Sequence, residues 1–335
     1  MKKLVLLALA AAALATPALA ADLKAITKAP KAPDPGPWDV AFGAVFTSDY
    51  NFRGITQSNH KPSVIAYFEP RYNATKDLQF YAGIGGASIS FPNRAAGEID
   101  FYGGVRPTFG ALALDFGVWY YGYPGGQCFN NLAIASPECW EQGALPVNGN
   151  VIKSNLSFYE FYAKGVVTVN EQFSFGAAAF YSPSVLNSGA RGTFVTGNVR
   201  YTLPSAMMAP GWGAYVSAEV GHWFLGTSDA FYCTQNGAAA PAGACIAPYP
   251  NGIPFKSYNT WNVGFGITKS VFTLDVRYYD TDLSQGDCNA FTSDQTARFN
   301  NSVTPINPGG FGSNWCSKSF IVSGKFDLTA LANLK

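Results

Sequence analysis

Three sets of residues in this sequence could do chemistry: two histidines, six cysteines, and charged residues that recur at alternate positions of apolar segments. A histidine beside a serine, with a third group to orient it, would make a hydrolase, because the base must reach the hydroxyl it activates. His222 lies in Glu219-Val220-Gly221-His222-Trp223-Phe224, where no serine follows two residues later. Ser217 falls on the opposite face of an extended chain by parity, and His60 precedes Lys61-Pro62 in a loop-like stretch. His222 therefore reads as an interfacial polar residue. No catalytic residue is expected, and neither a nucleotide loop nor an HExxH pattern is present.

The cysteines are Cys128, Cys139, Cys233, Cys245, Cys288 and Cys316. CxxC spacing is absent and histidines are few, so neither a metal nor a cofactor is expected. Many pairings are formally possible. The cysteines fall two each in the three longest connections between apolar segments, which favours Cys128 with Cys139, Cys233 with Cys245, and Cys288 with Cys316. Local rings of this kind form in an oxidising compartment.

The elements that must position these residues follow from composition and periodicity. The chain has 335 residues, 48% apolar, 15% aromatic and 13% charged, with a formal charge of +1. That excludes intrinsic disorder, and the lack of a basic block excludes a nucleic-acid partner. Lys2 and Lys3, the apolar run Leu4 to Ala15, and Ala18-Leu19-Ala20 read as a cleaved secretory signal over residues 1–20. Residues 21–37 read as a Pro-rich periplasmic leader, 38–328 as an outer-membrane barrel and 329–335 as a tail.

From Trp38 onward the chain alternates apolar with small or polar residues over segments of about ten residues, the period of a membrane-spanning strand. Strands are expected near 38–50, 62–72, 78–90, 98–109, 111–122, 156–168, 172–181, 192–203, 212–225, 257–268, 270–281 and 317–328. Long and short connections alternate between them, as they do when both termini lie on the periplasmic side. The fold class is thus all-β: an antiparallel transmembrane β-barrel of about 12 strands, with periplasmic termini and long, disulfide-stapled external loops.

One phase of the alternation carries Ile99, Phe101, Phe116, Val118, Val263 and Phe265, which suit outer-membrane lipid. Trp38, Tyr50, Tyr120, Tyr201, Trp212 and Phe224 sit at segment ends, where an aromatic girdle belongs. The opposite phase carries the charges. Asp49, Arg53, Glu69, Arg71, Asp100, Arg106, Asp115, Glu160, Lys164, Arg200, Glu219, Asp275 and Arg277 are the expected pore-lining residues. Inward glycines such as Gly43, Gly83 and Gly104 leave room beside them. Two readings stay open: a narrow, weakly charge-selective channel for small polar solutes or ions, or a salt-bridged plug in a structural or adhesive barrel. A barrel of this strand number falls between filled and open examples.

The stretch Thr47-Ser48-Asp49-Tyr50-Asn51-Phe52-Arg53-Gly54-Ile55-Thr56-Gln57-Ser58, followed by Pro62 and then by Tyr81-Ala82-Gly83 and Ser88, resembles the TorF family of porin-like proteins of Gram-negative bacteria. The resemblance covers about 45 residues and implies an outer-membrane channel-like protein. The C-terminus departs from the usual aromatic ending of such barrels, since the chain closes on Lys335.

Overall fold

The computed structural model describes residues 37–129, 150–234 and 252–334. It is a closed antiparallel barrel of twelve strands, each paired with its neighbours in sequence. The strands are β1 (Trp38–Thr47), β2 (Ser63–Thr75), β3 (Leu78–Ala87), β4 (Glu98–Phe109), β5 (Leu112–Gly122), β6 (Phe158–Thr168), β7 (Phe173–Ser182), β8 (Gly192–Thr202), β9 (Trp212–Leu225), β10 (Tyr258–Lys269), β11 (Phe272–Thr281) and β12 (Ser319–Thr329). Closure comes from β1 pairing with β12, Ala41 opposite Thr329 through Thr47 opposite Ser323. No edge is left open among these strands, so the wall presents no unpaired row of backbone groups.

Local chemistry explains the boundaries. At one end of the barrel the strands are joined by tight turns, such as Gly110-Ala111 between β4 and β5. Gly110 has φ +61° there, a left-handed conformation that a residue without a Cβ adopts freely. The other end carries all the long connections. β1 ends at Thr47, three residues before the expected boundary. The reason is Asp49, whose carboxylate accepts hydrogen bonds from Thr56 and Ser58 and turns the chain off the wall.

The period-2 alternation sorts the two faces as expected from sequence. Phe101, Phe116, Val118, Val263 and Phe265 point away from the bore and are exposed. Trp38, Trp212, Tyr120 and Phe224 are exposed near strand ends. Tyr50 departs from the expected girdle: it is buried inside, and its hydroxyl donates to Glu98 at 2.7 Å.

The inner face differs from the expected hollow. The room beside the inward glycines is occupied by tyrosine rings. Tyr67 covers Gly43, Tyr102 covers Gly83, Tyr162 covers Gly117 and Tyr215 covers Gly266, so a Cβ at any of these glycines would meet a ring. At the loop end a cluster of buried apolar and aromatic residues fills the bore, drawn from strand ends (Tyr121, Phe158, Phe180, Phe194, Trp223, Tyr258) and from loops (Phe52, Ile152, Phe291, Trp315).

Two connections contribute beyond their strand ends. A helix, α1 (Gln285–Thr292), packs inward from the connection between β11 and β12, and the expected Cys288–Cys316 disulfide ties that connection. Cys128 is also disulfide-bonded. Its expected partner Cys139 lies outside the described residues, as does Cys245, the expected partner of Cys233. The connection expected at 123–155 enters the cluster through its described ends, where Phe129 pairs with Ile152 and both are buried.

Candidate functional site

The site is the bore and the segment that closes it. The segment is residues 48–60, which leave β1 and fold inward instead of outward. Asn51–Phe52 pairs with Ile55–Thr56 as a short hairpin. Its tip residues Arg53 and Gly54 have φ of +51° and +83°. A two-residue hairpin of the I′ kind needs positive φ at both central positions, which is why glycine sits at the second. Asn51 Oδ1 accepts from the Gly54 amide at 2.9 Å and caps the tip.

The tip carries Arg53 into the bore. Its guanidinium donates two hydrogen bonds to Glu160 on β6, 2.8 and 2.7 Å long. The same group lies 4.5 Å from the Phe52 ring centre, 4.9 Å from Phe180, 4.6 Å from Phe194 and 4.5 Å from Trp223. The Arg53 carbonyl accepts from the Tyr258 hydroxyl at 2.9 Å. One residue of the segment is thus held by β6, β7, β8, β9 and β10. Side-chain exposure is 3% for Arg53 and 1% for Glu160, so this pair sits in a dry layer. In such a layer a charge is tolerated only when paired and hydrogen-bonded.

The base of the segment is held by Asp49. Thr56 and Ser58 donate to its Oδ1 at 2.5 and 2.9 Å, and His60 Nδ1 lies 2.9 Å from Oδ2. His60 Nε2 lies 3.0 Å from the Asn314 carbonyl. Both ring nitrogens face acceptors, so both are best satisfied as donors and the imidazolium is favoured. The bonded Asp49 carboxylate raises the His60 pKa against partial burial, and the Asn314 carbonyl adds to the rise. Asp49 and Arg53, which parity places on one strand face, do not pair; each has its own partner.

Below this layer the remaining charges form two networks. In the first, Glu69 accepts from Arg71 at 2.6 Å and from Arg106 at 2.7 and 3.1 Å. Arg106 reaches Asp115 at 3.4 Å, and the Tyr81 hydroxyl donates to Asp115 at 2.5 Å. Lys164 lies over the Tyr162 ring at 4.3 Å. In the second, Arg277 donates to Asp275 at 3.1 and 3.0 Å, to Asn262 at 2.7 Å and to Ser217 at 2.8 Å. Asn262 also donates to Glu219 at 3.3 Å, and Arg200 stacks on Tyr215 at 3.7 Å. Asp100 is buried nearer the loop end, close to Glu98, and its Oδ1 has no hydrogen-bond partner among the described residues.

Wetness differs along the axis. Arg106 and Asp115 keep side-chain exposures of 14% and 19%, well above the Arg53–Glu160 pair. Arg200, Lys325 and Asp327 are also half-buried. The bore therefore opens as a polar vestibule at the end that bears the tight turns and closes at the loop end. Sequence reasoning expected the charges from Glu69 to Arg277 on the inner phase but missed the tyrosines that lie among them. Their signal was available: Tyr67, Tyr81, Tyr102, Tyr162 and Tyr215 share the phase of the charges.

On the outer face, His222 Nδ1 is 2.8 Å from Asn259 Oδ1, and Asn259 donates to Asp282 at 2.5 Å. The ring of Phe224 stands 4.3 Å from the imidazole.

A family model described as a bacterial protein of unknown function (Gcw_chp) matches residues 31–135, the stretch that contains the Thr47–Ser58 motif and β1 to β5. No curated protein matches. Among solved structures, the chain is similar to the KdgM porin at 8% identity, covering 86% of this chain and 98% of that one, with a TM-score of 0.39. It is similar to the NanC porin at 9% identity, covering 87% and 100%, with a TM-score of 0.38. It is also similar to an outer membrane channel from Pseudomonas putida F1 at 10% identity, covering 91% and 99%, with a TM-score of 0.37.

Proposed function

We propose that this protein is a porin-like channel of a bacterial outer membrane, held shut in this conformation by the inward-folded 48–60 segment. The observation that carries the reading is the two-faced closed wall. Its outer face is apolar and ringed by aromatics, and its inner face holds the charges. Lipid cannot satisfy an open sheet edge, and a closed barrel presents none. On this reading the signal over residues 1–20 is cleaved, the termini are periplasmic, and the wetter vestibule with Arg106, Asp115 and Arg200 faces the periplasm, with the buried Glu219, Asp275 and Arg277 lining the bore beyond it. Small polar solutes or ions pass when the segment leaves its seat. Opposed charges in close pairs make the path weakly charge-selective, and no chemical step is involved.

A second reading is favoured by the density of the loop-end cluster: a permanently plugged barrel whose external loops bind a partner. Planar-bilayer conductance separates the two. The channel reading expects rare openings in the unaltered protein and frequent, discrete openings in Glu160→Gln. A folded Glu160→Gln barrel that stays silent would overturn it in favour of the plug.

A further inference from the structure

We infer that the loop end of the bore contains a binding site for a small, uncharged aromatic molecule of phenol size. The site is a partly open cavity of about 40 Å³ bounded by the 48–60 segment and by described residues of the other long connections. At roughly 10–15 Å³ per water-sized sphere it has room for about three, the scale of a single ring rather than a fused system.

The lining sets the chemistry. Phe52, Phe158, Trp223, Phe255, Phe291 and Trp315 contribute aromatic surface, and Ile55, Ile152, Leu156 and Val185 fill between them. Trp223 and Phe291 meet edge to face at 5.5 Å and 85°, and Phe255 and Phe291 at 5.1 Å and 69°. A further ring completes such an arrangement with favourable edge-to-face contacts. A largely apolar cavity of this kind gains by taking an apolar guest.

Among the described residues no charged side chain lines the cavity. The nearest cation in the bore, Arg53, is already committed to Glu160 by two hydrogen bonds. A charged guest would lose its hydration and find no counter-ion. Polar groups also line the cavity, among them Thr56, Gln57, Ser188 and Thr292. Thr292 lines the cavity, and its hydroxyl already donates to the Cys288 carbonyl at 2.8 Å, which leaves it to act as an acceptor. A guest with a single hydroxyl on a ring can donate to Thr292 while its ring meets the aromatic lining. Most of the lining residues are themselves buried, so entry of the guest needs the loop-end connections to shift. This site does not depend on whether the barrel conducts.

The test uses the full chain in lipid nanodiscs, titrated with 4-fluorophenol and followed by fluorine NMR, with 4-fluorobenzoate as the charged comparison. Saturable binding of one 4-fluorophenol per chain is expected, with 4-fluorobenzoate weaker by at least about tenfold. Ile152→Trp fills the cavity and should weaken binding by about tenfold or more, while lipid-facing Phe116→Ala should leave it unchanged. Phe291→Ala widens the cavity and should extend binding to 2-naphthol, which supplies a gain of binding should the filling variant fail to fold. Two results would overturn the inference: non-saturating uptake equal to that of empty nanodiscs, or benzoate binding as tightly as the phenol.

Discussion

Replacing Arg53 with Met keeps most of the side-chain stem and removes the guanidinium. The structure predicts what is lost. Two charge-assisted hydrogen bonds of 2.8 and 2.7 Å disappear, and so do cation–ring contacts to Phe52, Phe180, Phe194 and Trp223. Glu160, at 1% side-chain exposure, is left with only the long contact from the Tyr121 hydroxyl at 3.4 Å. Removing one partner of a buried pair costs about 3–5 kcal/mol, because the other charge stays dry and unpaired. The change falls on the docking of the 48–60 segment and not on the wall, whose strands pair without it. At 1.36 kcal/mol per decade, docking should weaken by roughly 10²- to 10⁴-fold. Hydrogen exchange of peptides spanning 48–60 in nanodiscs reads this directly. Removing both charges, Arg53→Met with Glu160→Gln, should recover much of the lost protection, since a pair replaced whole is far less harmful than a pair halved. The double-mutant cycle then shows a coupling of a few kcal/mol. Protection within about threefold of the unaltered protein in Arg53→Met, or strictly additive losses in the cycle, would refute the idea that this pair holds the segment.

Four further outcomes follow from the same geometry. Gly54→Ala puts a Cβ against the Thr281 and Thr260 side chains at φ +83°, so the segment should unseat and lose exchange protection while the barrel still shows heat-dependent gel mobility. His60 has its pKa raised by Asp49, so the stabilisation it lends is complete below about pH 6.5 and is lost as pH rises through the higher folded-state value. Protection of 48–60 should accordingly be greater at low pH, with Asp294 and the Asn314 carbonyl among the groups facing the ring, and His60→Gln should flatten the profile. Cys316→Ser should loosen the connection that carries α1, by about 2–4 kcal/mol, and speed its proteolysis without preventing barrel assembly. Phe116→Arg, on the exposed outer face, should destabilise the barrel by about 2–4 kcal/mol in a bilayer; a change below measurement error would place that face outside the lipid.

The wall was legible in the sequence because its information is local. Strand period is two residues, so Ile99, Phe101 and Phe116 could be separated from Asp100 and Asp115 by parity alone, and the structure keeps that separation. Alternating connection lengths gave the pairing order, since neighbours in sequence are neighbours in the wall. The Cys288–Cys316 bond was legible for the same reason: both cysteines lie in one connection.

What filled the barrel was not legible. Arg53 and Glu160 are 107 residues apart and meet only because the closed wall brings β6 within reach of a hairpin rooted beside β1. The Tyr81 and Tyr162 hydroxyls meet across 81 residues in the same way. Whether an inward glycine leaves a void or a berth depends on which ring the neighbouring strand sets opposite it, and that is a matter of register and side-chain reach. Parity tells which way a side chain points. How far it extends across a bore, and what it finds there, is decided only when all twelve strands have closed.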